Sequence, residues 1–276
     1  MRRNIWLACL LTLAGIVRAA PALVDNSWDL LRAGLAEGDP DHRRQALTAL
    51  EVIGSEPRAL SLIESSLRDK NPVVRQTAAA LLGELKAPSS IPFLRKALED
   101  TPEVSFTAAG SLWAMGDRSG AWILEESLMG ERSNAPGLVT GAIRDAQHEM
   151  HNPGQLAMMG IEEASGALLG PASMGIVAAK DIFKDTGAPG RAVAALLLAS
   201  DPDPYALTLL EWALGDSSGA VRAAAAKALA TRGNRSAIGR LEPLLHDQHH
   251  AVRYMAAAAI IRLSARPPEA SAPSGR

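Results

Sequence analysis

The run Val221-Arg222-Ala223-Ala224-Ala225-Ala226-Lys227-Ala228-Leu229-Ala230 constrains this chain more than any other, because it recurs. Val74-Arg75-Gln76-Thr77-Ala78-Ala79-Ala80-Leu81-Leu82 and Val252-Arg253-Tyr254-Met255-Ala256-Ala257-Ala258-Ala259-Ile260 follow the same pattern. Repetition at a fixed interval sets the architecture before any local signal does. Arg191, Arg222 and Arg253 stand 31 residues apart, and Pro40, Pro72 and Pro102 stand 32 and 30 apart. Each proline follows a capping residue (Asp39, Asn71, Thr101), a pairing that opens a helix because proline lacks only an N–H the first turn does not use.

Each period therefore reads as two helices. Residues 27–36 and 41–53 form the first pair, 59–69 and 73–85 the second, 91–100 and 103–115 the third. At the C-terminal end, 205–214 pairs with 219–231 and 238–246 with 251–263, while 192–199 closes the pair before them. The middle breaks the rhythm, since the cap-and-proline pair Asn152-Pro153 arrives 51 residues after Pro102. Residues 138–150 fill that excess as an inserted helix, with 152–169 and 174–183 continuing the array.

No such pair buries its apolar face alone, but stacked pairs share a continuous core. Composition agrees: 47% of residues are apolar but only 4% aromatic, so alanine supplies much of the interior and lets helices approach closely. The fold class expected is all-α, a right-handed α-solenoid of about seven helical pairs with the insert at about 131–151.

The units resemble HEAT repeats, in particular the short bacterial HEAT-like repeats of phycobilisome lyases. The resemblance rests on an Asp that ends the first helix, followed by Val-Arg opening the second: Asp69 with Arg75, Asp216 with Arg222, Asp247 with Arg253. It implies a ladder of Asp–Arg pairs within and between neighbouring repeats. Asp100 is followed by Val104-Ser105, so that rung should lack its arginine.

The first 22 residues read as a cleaved export signal, with Arg2 and Arg3 ahead of the apolar run 5–17. Cys9, the single cysteine, lies inside it. An exported, periplasmic or secreted location follows, with no membrane span in the mature chain. Without Arg2, Arg3 and Arg18, 25 of the 28 basic residues face 30 acidic ones, a balance of −5 that disfavours nucleic acid. Residues 266–276 are rich in Pro, Ser and Ala and read as a disordered tail.

Catalytic signals are sparse. The recurring Asp and Arg are a structural ladder. His148 and His151 share a helix face, but at a spacing one residue short of the zinc-protease helix motif. His246, His249 and His250 mark a polar turn, and Gly166–Gly175 lacks the Lys-Ser/Thr ending of a phosphate loop. The methionines of the middle, Met129, Met150, Met158, Met159 and Met174, read as gap fillers. Among Trp28, Trp113, Trp122 and Trp212, two or three are expected in the core or capping the ends.

The expectation is a non-enzymatic, cofactor-free, metal-free scaffold that binds a protein or peptide on its concave face or beside the inserted helix. Trp113, His148, Met150 and His151 are the candidate contacts. A bilin-lyase-like enzyme subunit and a self-associating structural solenoid, with Trp28 and the last helix capping the two ends, are the alternatives.

Overall fold

The computed structural model describes residues 21–129 and 188–265. All the regular structure among them is helical. The expected signal residues 1–20, the inserted helix, the pair expected over 152–183 and the tail lie outside the described residues.

Helix α1 covers residues 21–35. Then come α2 (Pro40–Ile53), α3 (Pro57–Ser66), α4 (Pro72–Glu84), α5 (Ile91–Lys96), α6 (Pro102–Ala114) and α7 (Ala121–Met129). The second segment holds α8 (Ala188–Leu197), α9 (Pro204–Ala213), α10 (Gly219–Arg232), α11 (Ile238–Leu241) and α12 (His250–Ser264).

Local chemistry explains the boundaries. Asp39 caps α2 by accepting from the Asp41 N–H, Asn71 caps α4 through Val73, and Asp203 caps α9 through Tyr205, each at 2.8 Å. Glu56 caps α3 through Ala59 at 2.9 Å. Gly233 ends α10 in the left-handed region, φ 74°. Two outer helices depart from the regular pattern. Both α5 and α11 are short α-helical pieces set between 3₁₀ turns. Pro92 sits at the start of α5, and Pro243 lies in the 3₁₀ turn after α11, where its missing N–H removes a ladder bond.

The inner helices stack side by side, and their order is the main departure from the sequence reading. Helix α8 packs on α10, α10 on α12, α12 on α2, α2 on α4 and α4 on α6. The last repeat thus docks on the first, placing the two chain ends of the array in its middle. Trp28 is only 3% exposed, and Ala256–Ala259 of α12 are fully buried. Expected as end caps, they are interior instead, because each end carries an apolar face that the other covers.

Small side chains set the spacing. Ala223–Ala226 of α10 are fully buried. A Cβ on Gly83 of α4 would lie 2.6 Å from Ser111 Cβ of α6. Ser111 uses that proximity to donate to the Ala79 carbonyl at 2.9 Å. Where the ends meet, a Cβ on Gly34 would lie 2.6 Å from two ring carbons of Tyr254.

An arginine ladder runs along the turns between paired helices. Arg43 Nε and Nη2 donate to the two carboxylate oxygens of Asp69 at 2.7 and 2.8 Å. Arg75 does the same to Asp100, Arg191 to Asp216, and Arg222 to Asp247. The third nitrogen of Arg43, Arg75 and Arg222 donates back to carbonyls of its own turn. Each arginine therefore pins its own unit and clasps the next. The forked guanidinium suits this double duty. Arg253 keeps only the inner half, donating to the Asp247 carbonyl at 3.1 Å.

Candidate functional site

The docking of last repeat on first brings groups together that are far apart in sequence. Glu51 lies in the last turn of α2 and Glu84 is the last residue of α4. Lys227 comes from α10, on the far side of α12. Its Nζ reaches Glu51 Oε2 at 3.0 Å across 176 residues. The fully buried alanines of α12 leave room for that reach. Beside it, Arg262 Nη1 donates to the Val52 carbonyl at 2.7 Å, and its Nε to the Ala230 carbonyl at 3.1 Å. Inner helices from both halves thus share one polar cluster.

Glu84 is the member with the most displaced carboxyl. Crowding away from bulk water pushes its carboxyl up to about 7, the Glu51 carboxylate adds to the rise, and the Lys227 ammonium opposes it. Its side chain still presents open surface. Glu84 is an exposed residue at the end of α4, within electrostatic reach of Glu51 and Lys227. Two carboxyls and one ammonium meet there, and among the described residues no hydrogen bond to Glu84 is formed. A carboxyl near neutrality can hold or release a proton at physiological pH.

A concavity lies elsewhere, away from this cluster. A groove of about 450 Å³ runs between α3 and the α5 region, lined by Glu64, Arg68, Phe93, Lys96, Glu99 and Thr101. Its charges are mixed, and Glu64 is engaged by the Ser90 hydroxyl at 2.6 Å. It gathers no set of groups aimed at one reacting point.

The repeat geometry decides the family. Residues 28–116, 61–132 and 178–265 each match the profile of HEAT repeats. The chain belongs to the HEAT-repeat family. Deoxyhypusine hydroxylase of Schizosaccharomyces pombe (strain 972 / ATCC 24843) is 29% identical to this HEAT array over 109 residues, 37% of this chain and 34% of the relative. The chain thus spans about a third of that curated relative's length. Human deoxyhypusine hydroxylase in complex with glycerol aligns over 89% of this chain and 98% of its own, at 20% identity and a TM-score of 0.32. An engineered protein aligns over 86% and 96%, at 16% identity and 0.26.

These findings correct the functional expectation. A non-catalytic exported scaffold, and a chain that is not an enzyme, are overturned by a sequence relative that is a hydroxylase. A ladder of repeated Asp and Arg draws attention from charged groups that occur once. Nothing local in the sequence marks Glu84. Its environment is made by Glu51 and Lys227, which the sequence places 33 and 143 residues away.

Of the four candidate contacts only Trp113 is among the described residues. His148, Met150 and His151 lie outside the described residues. Trp113 is 46% exposed on α6, with the Arg118 guanidinium 3.4 Å over its ring. Trp122 and Trp212 are also exposed, so Trp28 alone of the four is core. His250, read as part of a polar turn, stacks on His42. Asp69, Arg75, Asp216, Arg222, Asp247 and Arg253 all stand in the ladder described above.

Among the described residues no three His, Cys, Asp or Glu side chains converge so as to hold a metal ion, and no helix is long and apolar enough to cross a membrane.

Proposed function

We propose that this chain is an enzyme whose inner-helix surface at Glu51, Glu84 and Lys227 takes a cationic, amine-bearing substrate, with Glu84 as the group that holds or moves a proton. The observation that carries the reading is the meeting of Glu51, Glu84 and Lys227 at the junction of the two halves. One ammonium faces two carboxyls, so a second ammonium arriving beside them would complete the charge balance and draw Glu84 toward its ionised form. The sequence likeness to a hydroxylase that acts on deoxyhypusine supports catalysis rather than passive scaffolding.

Hydroxylation inserts an oxygen atom and ordinarily draws on a metal or an organic redox cofactor. The donor set among the described residues does not fit a metal, so no oxygen step is assigned to this site. The residues offer charge recognition from Glu51 and Glu84, orientation from Lys227, and a proton at Glu84.

The test pairs binding with turnover. Carboxyl resonances of Glu84 are titrated by NMR with and without 1,4-diaminobutane, and the chain is assayed on a deoxyhypusine-bearing peptide. The expected result is saturable diamine binding, a lowered Glu84 midpoint, and loss of both in Glu84→Gln. Turnover of the peptide, abolished in Glu84→Gln, would extend the relative's reaction to this chain. A Glu84 midpoint indifferent to diamine, together with no turnover, would end the proposal.

A further inference from the structure

The surface where the last repeat meets the first carries a feature that the regular repeat contacts lack. His42 of α2 and His250 of α12 stack face to face, with ring centroids 3.7 Å apart and planes inclined by 11°. They come from opposite halves of the array, 208 residues apart. His250 Nδ1 lies 3.2 Å from the Tyr254 hydroxyl, and the Tyr254 ring rests on Gly34 of α1. This stack sits in the same row of turns as the ladder, at the one joint where Arg253 lacks the carboxylate partner that Arg43, Arg75, Arg191 and Arg222 possess among the described residues.

The charged and titratable surroundings are defined. Helix α12 contributes Arg253 and Tyr254, and α2 contributes His42 with Asp39 at its cap. Glu37 stands in the turn between α1 and α2. The turn before α12 brings His249 and Asp247, the latter committed to Arg222 of α10. Helix α10 otherwise meets this turn through Gly219, against the His249 ring.

We infer that the His42–His250 stack is a protonation-sensitive latch between the two halves, closed when the rings are neutral and released when they are charged. Two neutral imidazoles stack as flat polarisable rings, whereas two imidazolium ions at this distance repel. Burial lowers the His250 pKa, and the Arg253 and His42 charges add to the lowering against the pull of Glu37 and Asp39. A depressed histidine takes up its proton on opening. The closed form is therefore favoured above the ordinary value of 6.5 and is lost as pH falls through the lower, folded value. Release would part Lys227 from Glu51. The latch stands on the stack alone, whatever chemistry the Glu51–Glu84–Lys227 cluster performs.

Hydrogen exchange followed by mass spectrometry tests it on the full chain. The Glu84→Gln background is used because Glu84 titrates in the same window with opposite sign. Protection of amides in α2 and α12, corrected for intrinsic rates, is compared at pH 7.5 and 5.5, with α6 as the internal control. One extra proton bound on opening predicts a loss of up to about tenfold per pH unit between 6.5 and the lower, folded value at α2 and α12, levelling off below it, and none at α6. His42→Phe with His250→Phe keeps a stack that cannot charge and should abolish the loss. If that double variant fails to fold, His42→Gln is used, and the loss should shrink. Equal protection at both pH values in the parent chain, or an undiminished loss in the histidine variants, overturns the latch.

Discussion

Removal of Arg43 is the sharpest probe of how the array is held. Its side chain is 4% exposed and that of Asp69 13%, so the pair is dry on both sides. Arg43 raises two bonds to Asp69 at 2.7 and 2.8 Å and two to the Glu37 and Gly38 carbonyls at 2.9 Å. Burial pushes the Asp69 carboxyl up, but the Arg43 hydrogen bonds, the Asn71 N–H and the neighbouring cations outweigh it and hold the group below its ordinary range. Arg43→Ala would leave a buried carboxylate with the Asn71 N–H and the Lys70 charge but no paired guanidinium, which costs about 3–5 kcal/mol. For a domain of this size about 3 °C is lost per kcal/mol, so the melting midpoint should fall by about 10 °C. Urea unfolding followed by circular dichroism measures the first quantity and a thermal scan the second. Arg32→Ala is the control, since Arg32 and Asp29 are both exposed in their pair and its loss should cost under about 1 kcal/mol. Replacing both partners, Arg43→Met with Asp69→Leu, should cost less than Arg43→Ala alone, because no charge is stranded. If Arg43→Ala costs no more than Arg32→Ala, the ladder contributes nothing and the reasoning fails.

Four other outcomes follow from the same geometry. Gly34→Ala should cost about 1–3 kcal/mol by driving a methyl into the Tyr254 ring, seen as a lower urea midpoint at an unchanged slope. Glu84 binds its proton more tightly when folded, so its contribution to stability falls as pH rises from about 4.5 to about 7 and is level above; Glu84→Gln should flatten that part of the urea-midpoint profile. Lys227→Met removes the charge that opposes the rise, so the Glu84 carboxyl should titrate higher still by NMR. Asp100 is held below its ordinary range, first by Arg75, so its stabilisation is present at neutral pH and is lost as pH falls below about 4; Asp100→Asn should remove that acid-side dependence in a pH series of urea midpoints.

How much of this is visible in the sequence depends on distance along the chain. The helix pairs are written in short-range signals: a cap, a proline, a run of alanines, a stop. Asn71-Pro72 and Asp39-Pro40 mark helix starts that the structure keeps. Arg43 was harder to recognise as a rung, because it follows His42 rather than valine. The signal was there in its spacing of 32 residues from Arg75. Order along the stack is a different matter. Nothing near Tyr254 says that Gly34 receives its ring, and nothing near Lys227 names Glu51. Such contacts depend on which apolar end face finds which, a long-range choice that a periodic pattern leaves open. The candidate site was hidden for the same reason.

The closure also bears on why this array carries a distinct site at all. In an open stack each inner helix meets only its neighbours, and every rung repeats the one before. Here the last repeat is inserted against the first, and the joint breaks the repetition in three ways. Among the described residues Arg253 has no carboxylate clasp, a histidine pair stands where the rung would be, and Lys227 reaches past α12 to Glu51. Chemistry needs groups that occur once, held by elements the repeat does not duplicate. The joint supplies both conditions, which is why Glu84, one repeat away from it, has a carboxyl unlike the ladder aspartates: theirs are held low by a paired guanidinium, while its own is pushed up to about 7 by crowding and an unshared neighbouring charge.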